Sequence, residues 1–233
     1  MKSFGLRTIL PHYQPIVRLS DKEVVMYECL ARFIDNNGNG VGPLDLEHLF
    51  EDKSFLWNLF DQSFPSIIAN MHKDVAISVN IDVSSLTPKF FTLIENLAYM
   101  HSDITKNIHF EITEKNILKG LDSLPELIQH LRHIGYKAVL DDFGTGGANL
   151  ECLERIKFDL IKIDGQFLIG ASKSKEGFKR LENIVGLLKC YDTDLVAEHI
   201  ENETIAKIAQ DLDICYGQGF LFGMPAPVIF HNA

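Results

Sequence analysis

Apolar residues along this chain fall into short strand-length runs separated by segments with helical spacing. The runs are YQPIVRL (13–19), VVMYECLARF (24–33), VAISVNI (75–81), NIHFEIT (107–113), YKAVLDD (136–142), FDLIKID (158–164), DLVAEHI (194–200) and CYGQGFLF (215–222). They are rich in β-branched and aromatic residues and are bounded by polar or turn residues, the signature of strands. Between most of them lie amphipathic stretches such as LEHLFEDKSFLWNLFDQSF and SLPELIQHLRHIG, the latter closed by Gly135 as a C-cap. Alternating strand and helix predicts a largely parallel sheet. Only Ser20 to Glu23 separate the first two strands, too short a link for a crossover, so these two form an antiparallel hairpin. The expectation is an α/β fold, a TIM-like (β/α)8 barrel with one antiparallel strand near the N-terminus. The Gly/Asn-rich DNNGNGVGP (35–43) then reads as a loop after the second strand.

Composition narrows the class of partner. At 233 residues and 46% hydrophobic, the sequence suits one barrel-sized domain spanning 1–233. The formal net charge of −10 argues against a nucleic acid polymer as partner, because such surfaces depend on clustered Lys and Arg. Cys29, Cys152, Cys190 and Cys215 are scattered without a Cys-x-x-Cys pair, which suggests neither a zinc site nor a disulfide framework. The opening MKSFGLRTILPHYQP is interrupted by Gly5, Arg7 and Pro11, and no run is long enough to span a bilayer. The expectation is a cytoplasmic protein with reduced thiols and no membrane insertion.

The polar residues at the strand ends carry the chemistry, since barrels of this kind keep their sites at the C-terminal face. Glu28, Asn80, Glu111 with Glu114, the pair Asp141 and Asp142, Lys162 with Asp164, Glu198 with Glu201, and Gln218 each fall on or just past a predicted strand. Carboxylates gathered at one mouth repel one another unless cations sit among them. Oxygen donors without His or Cys favour hard cations such as Mg²⁺ or Mn²⁺ over Zn²⁺.

The ordered series YQPIV, YECLARF, SVNID, FEITE, LDDFGTG, FDLIKID, VAEHIE and YGQGFLFGMP resembles the motif set of EAL-domain cyclic di-GMP phosphodiesterases, from Tyr13 to about Pro225. The namesake triplet reads Glu28-Cys29-Leu30 here. The resemblance implies two metal ions, Mg²⁺ or Mn²⁺. Glu28, Asn80, Glu111 and Asp141 would hold one, and Asp141 would be shared with a second that Asp142 and Glu198 approach. It further implies that Lys162 contacts the attacking water, that Glu198 and Glu201 activate it or hold the water network, and that Glu114 anchors the loop after the aspartates. Gln14, Arg32, Asp164 and Gln218 match substrate-contacting positions, Arg32 to a phosphate and the others to the purine side. The implied activity is opening of cyclic di-GMP to linear pGpG by a homodimer.

Three departures stand out. Gly146-Gly147-Ala148-Asn149 replaces a usual glycine, aromatic and two serines; His199 stands where glycine is usual; Met224 replaces a usual arginine before Pro225. They point to reduced turnover or an altered pH dependence. The competing reading is a catalytically silent domain that serves as a cyclic di-GMP receptor or binds a protein partner. Retention of every implied metal ligand favours the enzyme.

Overall fold

The computed structural model describes residues 5–50, 52–69, 71, 75–120, 122–145 and 150–227; the loop departure at 146–149 lies outside them. Strands β1 (Leu6–Arg18) and β2 (Val24–Asp35) form the expected antiparallel hairpin, with Gln14 opposite Glu28. From β2 the sheet runs in parallel through β4 (Ala76–Asn80), β5 (Ile108–Thr113), β6 (Lys137–Phe143), β7 (Leu160–Ile163), β8 (Asp194–Ala197) and β9 (Tyr216–Gln218). Strand β9 returns antiparallel to β1, pairing Gln218 with Ile16, so eight strands close into a barrel in which β1 alone runs backwards. A two-residue β3 (Gly40–Val41) adds to the side of β2, inside the segment read from sequence as pure loop.

Helices α1 (Lys53–Ala69), α2 (Pro88–Met100), α3 (Ser102–Thr105), α4 (Glu114–Gly120), α5 (Leu124–Ile134), α6 (Leu150–Arg155), α7 (Gly165–Lys173), α8 (Lys175–Leu188) and α9 (Glu203–Asp211) fill the intervals. Their ends follow local chemistry. Thr87, Asp164, Ser174 and Asn202 each accept a backbone amide at a helix start, and Gly135 closes α5 in the left-handed conformation at φ 109°. Among the described residues, no helix is long and apolar enough to cross a membrane.

The helices seal the barrel through an aromatic layer. Phe60 stacks on Phe64 at 4.5 Å between ring centroids, and Phe90, Phe110 and Tyr136 continue the contact inward from α2 and the sheet. Each such buried ring contributes roughly 1.5–3 kcal/mol by leaving water. Tyr136 also donates its hydroxyl to the Ile94 carbonyl at 2.8 Å, so its polar end is satisfied.

Inside the barrel, the two-residue period of strands separates floor from mouth. Ile16, Met26, Val139, Leu160 and Val196 pack together as the apolar floor. Two positions further towards the mouth stand Gln14, Glu28, Asp141, Lys162 and Glu198. The sequence step from apolar to charged is therefore a step of one layer along the barrel axis.

Candidate active site

Lys162 organises the mouth. Its ammonium, 1% exposed, lies 2.9 Å from Asp141, 2.9 Å from Glu198, 3.1 Å from Glu28 and 3.2 Å from Glu111. Burial disfavours its charge, but Asp141, Glu111, Glu198 and Glu28 together hold its pKa well above the ordinary value. One cation cannot balance four carboxylates. Burial and the neighbouring Glu28 lift Glu111 well above the usual carboxylate range, and burial carries Glu198 to about 8 against the pull of Lys162. Burial also pushes Glu28 upward, yet the Lys162 charge and hydrogen bonds from Gln218 and Asn80 outweigh it and leave Glu28 below its usual value. Raised in this way, Glu111 and Glu198 favour their protonated forms, and a cation bound among them would act in the opposite direction.

Adjacent residues in a regular strand point to opposite faces, so Asp141 and Asp142 need a device to face one mouth. The register supplies it. Leu140 pairs with Ile161 but Phe143 with Ile163, so β6 carries one extra residue between them. This bulge, with Asp142 in the left-handed conformation at φ 57°, re-aims the second carboxylate. Asp141, Asp142 and Glu198 consequently offer oxygens that all lie within 4.8 Å of one another. Burial and the Asp141 charge raise the Asp142 pKa as well.

This donor set fits a hard divalent cation. The three converging side chains are all carboxylates, hence oxygen donors, and among the described residues the buried Glu198 Oε2 has no hydrogen-bond partner. Asn80 donates its amide nitrogen to Glu28 Oε1 at 2.9 Å, which leaves its carbonyl oxygen as the atom suited to ligation.

Around this centre the other expected residues separate by role. Gln218 donates to Glu28 Oε2 at 2.6 Å and to Gln14 Oε1 at 3.2 Å, while Gln14 donates to the Gly223 carbonyl at 3.3 Å. A cavity of about 360 Å³ opens above them, bordered also by Arg32, Glu201 and His199. Asp164 is buried at the start of α7, where it accepts the Gln166 amide at 2.9 Å. Glu114 is buried at the start of α4 and takes a 3.3 Å hydrogen bond from the Thr145 hydroxyl, just after the aspartate pair. Glu201 is exposed and sits at the rim of the cavity. Thr145 and the exposed Phe220, which also borders the cavity, were not singled out in the sequence. An apolar ring two residues past the buried polar strand end Gln218 is the available signal for Phe220.

The EAL domain family model matches residues 2–225. The chain is 35% identical over 152 residues to the cyclic di-GMP phosphodiesterase PdeA of Borreliella burgdorferi, covering 65% of this chain and 23% of that protein. It is 29% identical over 213 residues to the cyclic di-GMP phosphodiesterase PdeF of Escherichia coli, covering 88% of this chain and 28% of that one. The EAL enzyme Bd1971, solved with cAMP and cyclic-di-GMP bound, superposes with a TM-score of 0.79 at 27% identity, over 94% of this chain and 62% of that one. The chain spans about a quarter of the length of each of these two curated relatives.

Proposed function

Because this chain belongs to the EAL domain family, we infer that it hydrolyses cyclic di-GMP to linear pGpG with two Mg²⁺ or Mn²⁺ ions. The observation that carries this reading is the convergence of Glu28, Glu111, Asp141 and Glu198 on Lys162, beside the bulge that turns Asp142 into the same mouth.

In this reading Glu28, Asn80, Glu111 and Asp141 would hold one ion, and Asp141, Asp142 and Glu198 would hold the other. Bound there, the pair would supply a water nucleophile at neutral pH and charge neutralisation at the phosphate. The chain's own groups do the rest. Lys162, a fixed buried cation, favours the deprotonated form of a water beside it. Arg32 borders the cavity and offers a planar pair of donors to a phosphate, which explains how so acidic a protein accepts an anionic ligand. Gln14 and Gln218, tied to each other and to Glu28, couple the purine side of the cavity to the metal ligands. Glu198, against Lys162 at the centre, and Glu201, at the rim of the same cavity, would activate the attacking water or hold its network. Glu114, through Thr145, fixes the start of the loop after the aspartates. Asp164 orients the first turn of α7 beside the mouth. The same reading takes the working form to be a cytoplasmic homodimer.

Glu28→Ala separates an enzyme from a silent binding domain. It removes a metal ligand and the acceptor of Asn80 and Gln218, so pGpG formation measured by chromatography should cease. Unchanged product formation in that variant would overturn the assignment.

A further inference from the structure

A second cavity, of about 270 Å³, lies beside the catalytic mouth and has a different character. Its origin is topological. Pairing of β2 with β4 ends at Cys29 opposite Val79, yet β2 continues to Asp35 and leaves the barrel with β1 and β3. The diverging strand opens a wedge against α1 and the turn after β4. Phe33, Phe50, Leu56, Leu59, Phe60 and Ile67 make its walls predominantly hydrocarbon.

Arg32 borders both this cavity and the catalytic one. It is half-buried, its one described side-chain hydrogen bond goes to the Ala31 carbonyl at 3.2 Å, and no carboxylate among the described residues lies within ion-pairing distance of it. Asp82, the acidic residue in the lining, is engaged as a cap on the Ser84 amide at 2.8 Å. A greasy pocket with a guanidinium at its edge that no described carboxylate neutralises matches a molecule with a hydrocarbon tail and a single anionic head.

We propose that the cavity between β2 and α1 is a binding site for a medium-chain fatty acid anion, its alkyl chain among Phe33, Phe50 and Leu59 and its carboxylate on Arg32. Occupancy would draw Arg32 away from the substrate phosphate, so the ligand acts as an inhibitor. Only this inhibition rests on the phosphodiesterase reading; binding does not.

The test is calorimetric titration of the full chain, without added metal, with decanoate below its micelle concentration, and in parallel with decyltrimethylammonium. Decanoate should bind saturably at one site, at least about tenfold more tightly than the cation of equal chain length. Leu59→Trp and Ser63→Phe, which fill the cavity from α1, should each weaken decanoate binding about tenfold or more while thermal unfolding stays cooperative. Equal binding of anion and cation, absence of saturation, or unchanged binding in a cooperatively folded filled variant would each overturn the proposal. Because turnover is not measured, these outcomes are independent of whether cyclic di-GMP is the substrate.

Discussion

His199 and Gly165 pack so closely that a methyl group on Gly165 would overlap the His199 Cβ and come within 2.8 Å of its Nδ1. His199 follows the candidate ligand Glu198 and is held at φ 55°, a conformation that costs a non-glycine residue about 1–2 kcal/mol. The chain thus carries a strained histidine and, facing it at the start of α7, a glycine that makes room.

This pairing predicts an inverted mutational pattern. His199→Gly should raise stability by about 1 kcal/mol in urea denaturation, because glycine adopts positive φ freely. Gly165→Ala should destabilise by roughly 2 kcal/mol or more, and most of that loss should vanish in the double variant, since the three nearest obstructing atoms all belong to His199. Additive effects would contradict the packing described.

Lys162→Met removes the single cation shared by Glu28, Glu111, Asp141 and Glu198. Without metal, the variant should lose about 3–5 kcal/mol of stability, the cost of leaving buried charge unpaired. Added Mn²⁺ should recover part of that stability but not product formation. A denaturation midpoint unchanged by the substitution would mean that the cluster is not buried as described.

Gln218→Ala leaves every implied ligand in place and removes the 2.6 Å hydrogen bond to Glu28. Loss of such a supporting donor should weaken metal binding about 10–100-fold, read by titrating Mn²⁺ against activity. It should also raise KM, because Gln14 loses the donor to its Oε1 and keeps only its bond to the Gly223 carbonyl.

His109 sets an acid limit on the fold. Burial, with Lys137 nearby, pushes its pKa down to about 3 from an ordinary 6.5. The unfolded chain therefore takes up a proton that the folded chain refuses, and this contribution to stability, full above pH 6.5, is lost progressively as pH falls towards 3. The expected slope is about 1.4 kcal/mol per pH unit in that window. His109→Gln should flatten the profile between pH 6 and 4 by that amount, whatever its effect at pH 7.

Much of this arrangement was legible in the sequence because strand period and layer coincide. The hydrophobic runs locate all eight barrel strands, and of the residues two positions beyond the floor, Glu28, Asp141 and Glu198 meet at Lys162. The ends were less legible. The run DLVAEHI suggests a strand to Ile200, but β8 stops at Ala197, since His199 turns left-handed and Ile200 bonds instead to Gln218 and Leu221. CYGQGFLF likewise stops at Gln218, where Gly219 lies flat against the Ile200 backbone. Pro11, before the predicted run, conceals the true start of β1 at Leu6, and two residues of β3 are too few for any periodic signal. The bulge at Asp141–Asp142 is a register effect between two strands, which one strand's sequence does not encode.

The most direct test of the central claim is product formation from cyclic di-GMP by the purified, metal-stripped chain, with Mg²⁺ or Mn²⁺ added back and products resolved by chromatography. The account predicts linear pGpG with metal and none without. Nucleotide binding with no product at any metal concentration would contradict it and identify a receptor built on the same barrel.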